Sequence, residues 1–176
     1  MVAQAVERMV VAIRAIDCLF AMREPVTAYI GLGANLGDPA ATLALAVQQL
    51  GSLPENTVMA QSSLYRTAPV DAVGPDFTNA VIAVQTKLTA PALLACLQSI
   101  EASAGRQRPY RNAPRTLDLD ILLFGGASVS SATLSIPHPR MWGRAFVLMP
   151  LAELAPQLVS VVQLRAVEMQ RIVKIF

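Results

Sequence analysis

Two aspartates, Asp118 and Asp120, interrupt the otherwise apolar run from Leu117 to Phe124. Four arginines, Arg106, Arg108, Arg111 and Arg115, precede them with no acidic residue between Ala102 and Leu117. In an extended strand, side chains at i and i+2 share a face, so the two carboxylates project together while Leu117, Leu119 and Ile121 point the other way. Adjacent carboxylates repel unless a cation relieves them, and hard oxygen donors without thiolate or several imidazoles suit Mg²⁺ rather than zinc. Guanidinium groups grip phosphate oxygens in bidentate fashion, so the combination is the one phosphoryl transfer requires. Taken singly, the features have plainer readings. The aspartates could mark the wet face of an edge strand, and the arginines a solvated basic loop or a nucleic-acid patch. Nucleic acid is disfavoured because only Tyr110 interleaves with the arginines and the net charge is just +2.

Other chemistries lack their residues. The single histidine, His138, excludes zinc sites that need several, and leaves little room for a Ser-His-Asp triad. The two cysteines, Cys18 and Cys96, form no C-x-x-C pair, which points to a reducing cytoplasm, and Cys96 reads as a small core residue. In "GLGANLGD" the glycines Gly31, Gly33 and Gly37 are spaced G-x-G-x-x-x-G, which misses the dinucleotide fingerprint, and no P-loop lysine follows. They are read as tight-turn glycines.

The elements that must hold these residues follow from periodicity. Thr27 to Ala34 reads as a strand, and Pro39 to Leu50 as a helix with Asp38 as N-cap and Gly51 as its stop. Val58 to Arg66 and Phe77 to Leu88 read as strands. A second helix is expected from Pro91 to Ala104, capped by Thr89 and ended by Gly105, before the arginine loop and the aspartate strand. The order β-α-β-β-α-β predicts an α+β ferredoxin-like sandwich, its helices on one face of an antiparallel sheet, with additional C-terminal elements. The chain has 176 residues, 54% of them hydrophobic, enough for one domain with a real core. Despite a mean hydropathy of +0.48, no segment is apolar for long enough to span a bilayer, so no membrane association is expected. Residues 1–26 read as an N-terminal extension with helical apolar spacing, 27–156 as the functional domain, and 157–176 as a segment packing on it.

The stretch "RNAPRTLDLDIL", Arg111 to Leu122, resembles the signature of 6-hydroxymethyl-7,8-dihydropterin pyrophosphokinases. "YIGLGANLGD", "SSLYRTAPV", "DFTNAV", "GRQR", "IPHPR" and "RAFVLMPLAELAP" resemble further parts of that family in the same order, covering roughly Thr27 to Pro156. The resemblance implies transfer of pyrophosphate from ATP to a pterin alcohol, with ATP and hydroxymethyl-dihydropterin as the partners of a cytoplasmic monomer. It implies that Asp118 and Asp120 hold two Mg²⁺ ions, and that Arg106, Arg108 and Arg115 are catalytic, with Arg108 and Arg115 also on the nucleotide. Gln98, Glu101, Ile121, Ser135, His138 and Arg144 are implied as further nucleotide contacts. Thr67, Val70, Phe77, Asn79 and Phe146 would bind the pterin, the two rings by stacking and Asn79 at the hydrogen-bonding edge. Asp71, Asn112 and Thr133 depart from residues common in the family.

Overall fold

The computed structural model describes residues 23–69, 74–105 and 114–175. The helix expected at the N-terminus falls in residues 1–22, outside that range, as do Val70, Arg106 and Arg108.

Eight strands and four α-helices make up the described fold. They are β1 (Val26–Ala34), α1 (Pro39–Ser52), β2 (Asn56–Gln61), β3 (Tyr65–Thr67), β4 (Phe77–Thr86), α2 (Ala90–Ser103), β5 (Asp118–Phe124), β6 (Val129–Ser130), β7 (Ser135–Ile136), α3 (Ala145–Leu154), α4 (Val161–Ala166) and β8 (Ile172–Lys174). Both early helices start as their sequences dictate. The Asp38 carboxylate accepts the Ala41 amide at 3.0 Å and the Thr89 hydroxyl accepts the Ala92 amide at 3.2 Å, each satisfying a donor of the first turn. Gly51 does not stop α1, which runs on to Ser52. Gly105, at φ +73, ends the second helix in the left-handed conformation that glycine adopts without strain.

The main sheet has the order β5-β1-β4-β3-β8, with β2 pairing β4 beside β3, and every pairing is antiparallel. The single strand expected from Val58 to Arg66 is in fact two. At the break, the Ser62 hydroxyl accepts the Val81 amide at 3.0 Å while the Ser62 amide donates to the Val81 carbonyl at 2.9 Å. A side chain thus takes a place in the backbone ladder, and the chain kinks without orphaning a donor.

The strands bury both faces, not one. Ala28, Ile30, Leu32 and Ala34 of β1, Ala80, Ile82 and Val84 of β4, and Leu119 and Ile121 of β5 form one core with Leu43, Leu50, Leu93 and Leu97 from α1 and α2. On the opposite face Val81 and Leu122 pack with Val147, Leu148 and Leu151 of α3 and with Val159 and Val167. The second cluster is smaller and leaves part of its sheet face bare. A bulge interrupts the β1-β5 ladder here, since Tyr29 faces Leu123 but Ile30 faces Ile121, so Leu122 has no opposite number on β1. The C-terminal residues, expected to pack on the domain, supply both a helix, α4, and a strand, β8. The strand β8 extends the sheet beyond β3, and Glu153 of α3 accepts the Ser63 amide, the Tyr65 hydroxyl and the Lys174 ammonium at 2.7, 2.6 and 2.7 Å.

Candidate active site

The bare part of that face is a cavity of about 500 Å³. Its floor is made by alternate residues of three strands. Gly31 and Gly33 of β1 stand in register with Asp120 and Asp118 of β5 on one side, and Gly33 with Asn79 of β4 on the other. The sequence reading of Gly31 and Gly33 as turn glycines is therefore corrected. They lie inside β1, and only Gly37, at φ +66, makes the turn. A Cβ on Gly33 would crowd the Asn79 Oδ1 at 3.3 Å, whereas one on Gly31 would only touch Leu122 at an ordinary 3.4 Å. Side chains there would also stand over the two carboxylates.

Thr67, Phe77, Asn79, Arg115, Asp118, Asp120, Arg144 and Phe146 all line this cavity. Their polar groups are held in defined orientations. The Asn79 Nδ2 donates to the Thr67 hydroxyl at 2.9 Å, an assignment that follows from the hydrogen bond and leaves the amide oxygen on the Gly33 side. Arg115 donates to the Asp118 carboxylate at 2.7 Å and its guanidinium lies 5.8 Å from the centre of the Phe77 ring. The Arg144 guanidinium lies 5.3 Å from the centre of the Phe146 ring. Each aromatic wall thus carries a cation.

Other expected residues do not line the cavity. His138 donates its backbone amide to the Leu122 carbonyl at 2.9 Å, which sets its Nε2 3.8 Å from Asp120. Burial lowers the imidazole pKa below its ordinary value; Asp120 and Asp118 oppose this, while Arg144 and Arg140 reinforce it. Glu101 is 5% exposed and accepts the Leu119 amide at 2.7 Å, satisfying a donor on the backbone between the two aspartates. The side chain of Ile121 is in the opposite core, so only its backbone can approach a ligand from β5. Gln98, on α2, and Ser135, paired with Ser130 in the β6-β7 hairpin, lie outside the cavity wall.

Some residues of the site had no assigned role in the sequence. Arg140 lines the cavity and adds a third guanidinium to Arg115 and Arg144. Asn35 ties three segments together: its Oδ1 accepts the Arg115 amide at 2.8 Å, its amide donates to the Arg115 carbonyl at 3.1 Å, and its Nδ2 donates to the Pro75 carbonyl at 3.1 Å. The only local signal for it was an asparagine directly after a strand.

Among the described residues no three His, Cys, Asp or Glu side chains form a metal cage. Two carboxylates on one strand face are nevertheless a fitting donor set for Mg²⁺, which keeps few protein ligands and completes its shell with phosphate oxygens and water. The Arg115 guanidinium against Asp118 marks a position that already attracts positive charge. Chemically, the cavity gathers two aromatic rings, an amide, three guanidinium groups and two carboxylates in one place.

Comparison with known proteins agrees with this geometry. The model of the 7,8-dihydro-6-hydroxymethylpterin-pyrophosphokinase family matches residues 29–156. The 2-amino-4-hydroxy-6-hydroxymethyldihydropteridine pyrophosphokinase of Methylorubrum extorquens is 50% identical over 133 residues, 75% of this chain and 84% of that protein. Its namesake from Pseudomonas aeruginosa is 47% identical over 131 residues, 74% of this chain and 81% of that protein. Among solved structures, an HPPK-DHPS in complex with substrates aligns with a TM-score of 0.58 at 15% identity, covering 76% of this chain and 41% of that one. A Plasmodium falciparum HPPK-DHPS aligns with a TM-score of 0.61 at 14% identity, covering 77% and 40%. At such identities the structures speak for the fold alone, and this chain spans about two fifths of their length.

Proposed function

The chain belongs to the 7,8-dihydro-6-hydroxymethylpterin-pyrophosphokinase family, and from that premise we infer how its own residues serve the reaction. It is a pterin pyrophosphokinase of folate biosynthesis and uses a nucleotide co-substrate. The donor is ATP. The hydroxymethyl oxygen of the dihydropterin attacks the β-phosphorus, the bond from that phosphorus to the oxygen bridging the α-phosphate breaks, and AMP leaves with that oxygen. The hydroxyl proton passes to solvent, and the pterin diphosphate is the second product. The observation that carries this reading is one cavity in which Asp118 and Asp120 meet three arginines beside an aromatic and amide wall.

Phe77 and Phe146 stack on the pterin, and Asn79, oriented by Thr67, reads its edge. Asp118 and Asp120 would hold the two Mg²⁺ ions, whose chemistry there would be neutralisation of the triphosphate charge. Arg115 exchanges its Asp118 partner for phosphate oxygens, and Arg144 adds a second guanidinium on the nucleotide side. Arg106 and Arg108, outside the described residues, are assigned to the phosphates, Val70 to the pterin, and Gln98, Glu101, Ser135, His138 and the Ile121 backbone to the nucleotide. No strong base faces the acceptor oxygen in this scheme, which is consistent with a reaction driven by positioning and charge neutralisation.

Incubation with Mg-ATP and 6-hydroxymethyl-7,8-dihydropterin, followed by identification of the nucleotide product, tests the reading. AMP is expected. ADP would mean ordinary kinase chemistry, and no turnover would leave a binding module.

A further inference from the structure

Gln170 lies beyond the residues matched by the family model. It sits between Val167, which is 2% exposed in the α3 core, and Ile172, where β8 begins to pair with Thr67. Its Oε1 accepts the Ala145 amide at 2.8 Å and its Nε2 donates to the Gly143 carbonyl at 2.8 Å. These backbone groups flank Arg144, the N-cap residue of α3, whose own side chain makes no capping hydrogen bond. Gln170 therefore supplies from a distant segment what an N-cap side chain normally supplies locally. Ala145 is 2% exposed, so without Gln170 its amide would lose this acceptor while buried.

What the clasp holds is part of the cavity. Gly143, Arg144 and Phe146 all line it. The clasp itself is braced, since the Gln170 amide donates to the Val167 carbonyl at 2.9 Å and the backbone two residues later enters the sheet opposite Thr67. Both walls of the heterocycle site, the Thr67 side and the Phe146 side, are thus attached to one C-terminal stretch.

We propose that Gln170 is a positioning residue for substrate binding, fixing the entry to α3 so that Phe146 and Arg144 face the cavity in a set geometry. The role in substrate binding rests on the pyrophosphokinase reading above, whereas the clasp itself can be tested without turnover. Trp142, the single tryptophan of the chain, directly precedes Gly143 and reports on this segment. In full-length Gln170→Ala, acrylamide quenching of Trp142 should increase, and the pterin KM should rise by roughly fivefold with kcat within about twofold of wild type. Gln170→Glu keeps an acceptor for Ala145 but loses the donor to Gly143, so it should lie between the two, and it carries the test if the alanine variant does not fold. Met169→Ala, at a neighbouring side chain that is 92% exposed, should match wild type in both readouts. Unchanged quenching and unchanged KM in both Gln170 variants would overturn the proposal. So would a lower Tm with an unchanged KM, because Gln170 would then serve stability alone. Absence of AMP formation by the wild type would overturn the functional reading, while the quenching comparison would still decide the clasp.

Discussion

The two faces of the sheet are built from the same strands and behave oppositely. Toward α1 and α2, residues of β1, β4 and β5 are mostly aliphatic and closed, with Ala28, Ile30 and Ile82 fully buried. Toward α3 the alternate residues change character along each strand: Tyr29 gives way to Gly31 and Gly33, Val81 to Asn79 and Phe77, and Leu122 to Asp120 and Asp118. Half of that face is a core, and half is the cavity. The period of two in a strand lets every third-party demand of the site be met on one side while the other side keeps the fold together. Replacements on adjacent residues should therefore separate activity from stability.

The largest expected effect is on turnover. Asp118→Ala or Asp120→Ala should slow it roughly a thousandfold, equivalent to about 4 kcal/mol of lost charge neutralisation, with Tm near wild type in the metal-free protein. Steady-state kinetics at saturating Mg²⁺ and a thermal melt on the same samples check this. Near-normal turnover with a lowered Tm would assign the aspartates to structure and erase the contrast between the faces.

On the other side of the same strand, Leu119→Ala should cost about 2–5 kcal/mol of folding stability while the folded fraction turns over normally. Denaturant unfolding measures the first part and kinetics below the transition the second. Phe77→Ala and Asn79→Ala should weaken pterin binding by about tenfold or more and ATP binding much less, because stacking and edge recognition belong to the ring. Separate calorimetric titrations with each ligand would show it, and equal losses for both ligands would point to a folding defect.

The smallest effect concerns the edge where α3 meets the C-terminal strand. Burial by itself would raise the Glu153 carboxyl, but hydrogen bonds from Lys174, the Tyr65 hydroxyl and the Ser63 amide outweigh it and bring the pKa from 4.5 to about 2. A carboxyl depressed in the folded state contributes stability above its unfolded pKa and loses it as pH falls through the folded value. Wild-type Tm should therefore drop as pH falls from about 4.5 towards 2, and Glu153→Gln should show a shallower drop in that window. A variant with an unaltered slope would show that this cluster is not a source of acid lability.

What could be read from the sequence was local. The aspartate pair, the apolar alternation of β5 and the caps Asp38 and Thr89 all declare themselves within a few residues, and the family motif extends that reading to Phe77, Asn79 and Phe146. The glycines did not. Their role depends on which residues they face across β1 and β5, and strand register is a long-range property that "GLGANLGD" does not contain. The break at Ser62 was hidden because the β-prone residues continue on both sides of it, and the kink is made by a hydroxyl joining another strand's ladder. Gln170 was invisible for a similar reason: nothing in the residues around it marks it, and its partners lie 25 and 27 residues away.

The account rests on attack at the β-phosphorus, and the fate of a phosphorus label tests that most directly. With ATP carrying ³²P at the β-position, Mg²⁺ and 6-hydroxymethyl-7,8-dihydropterin, the label should leave the nucleotide and appear in the pterin diphosphate, while label at the α-position stays in AMP. Retention of the β-label in ADP, with only γ-label reaching the pterin, would contradict it.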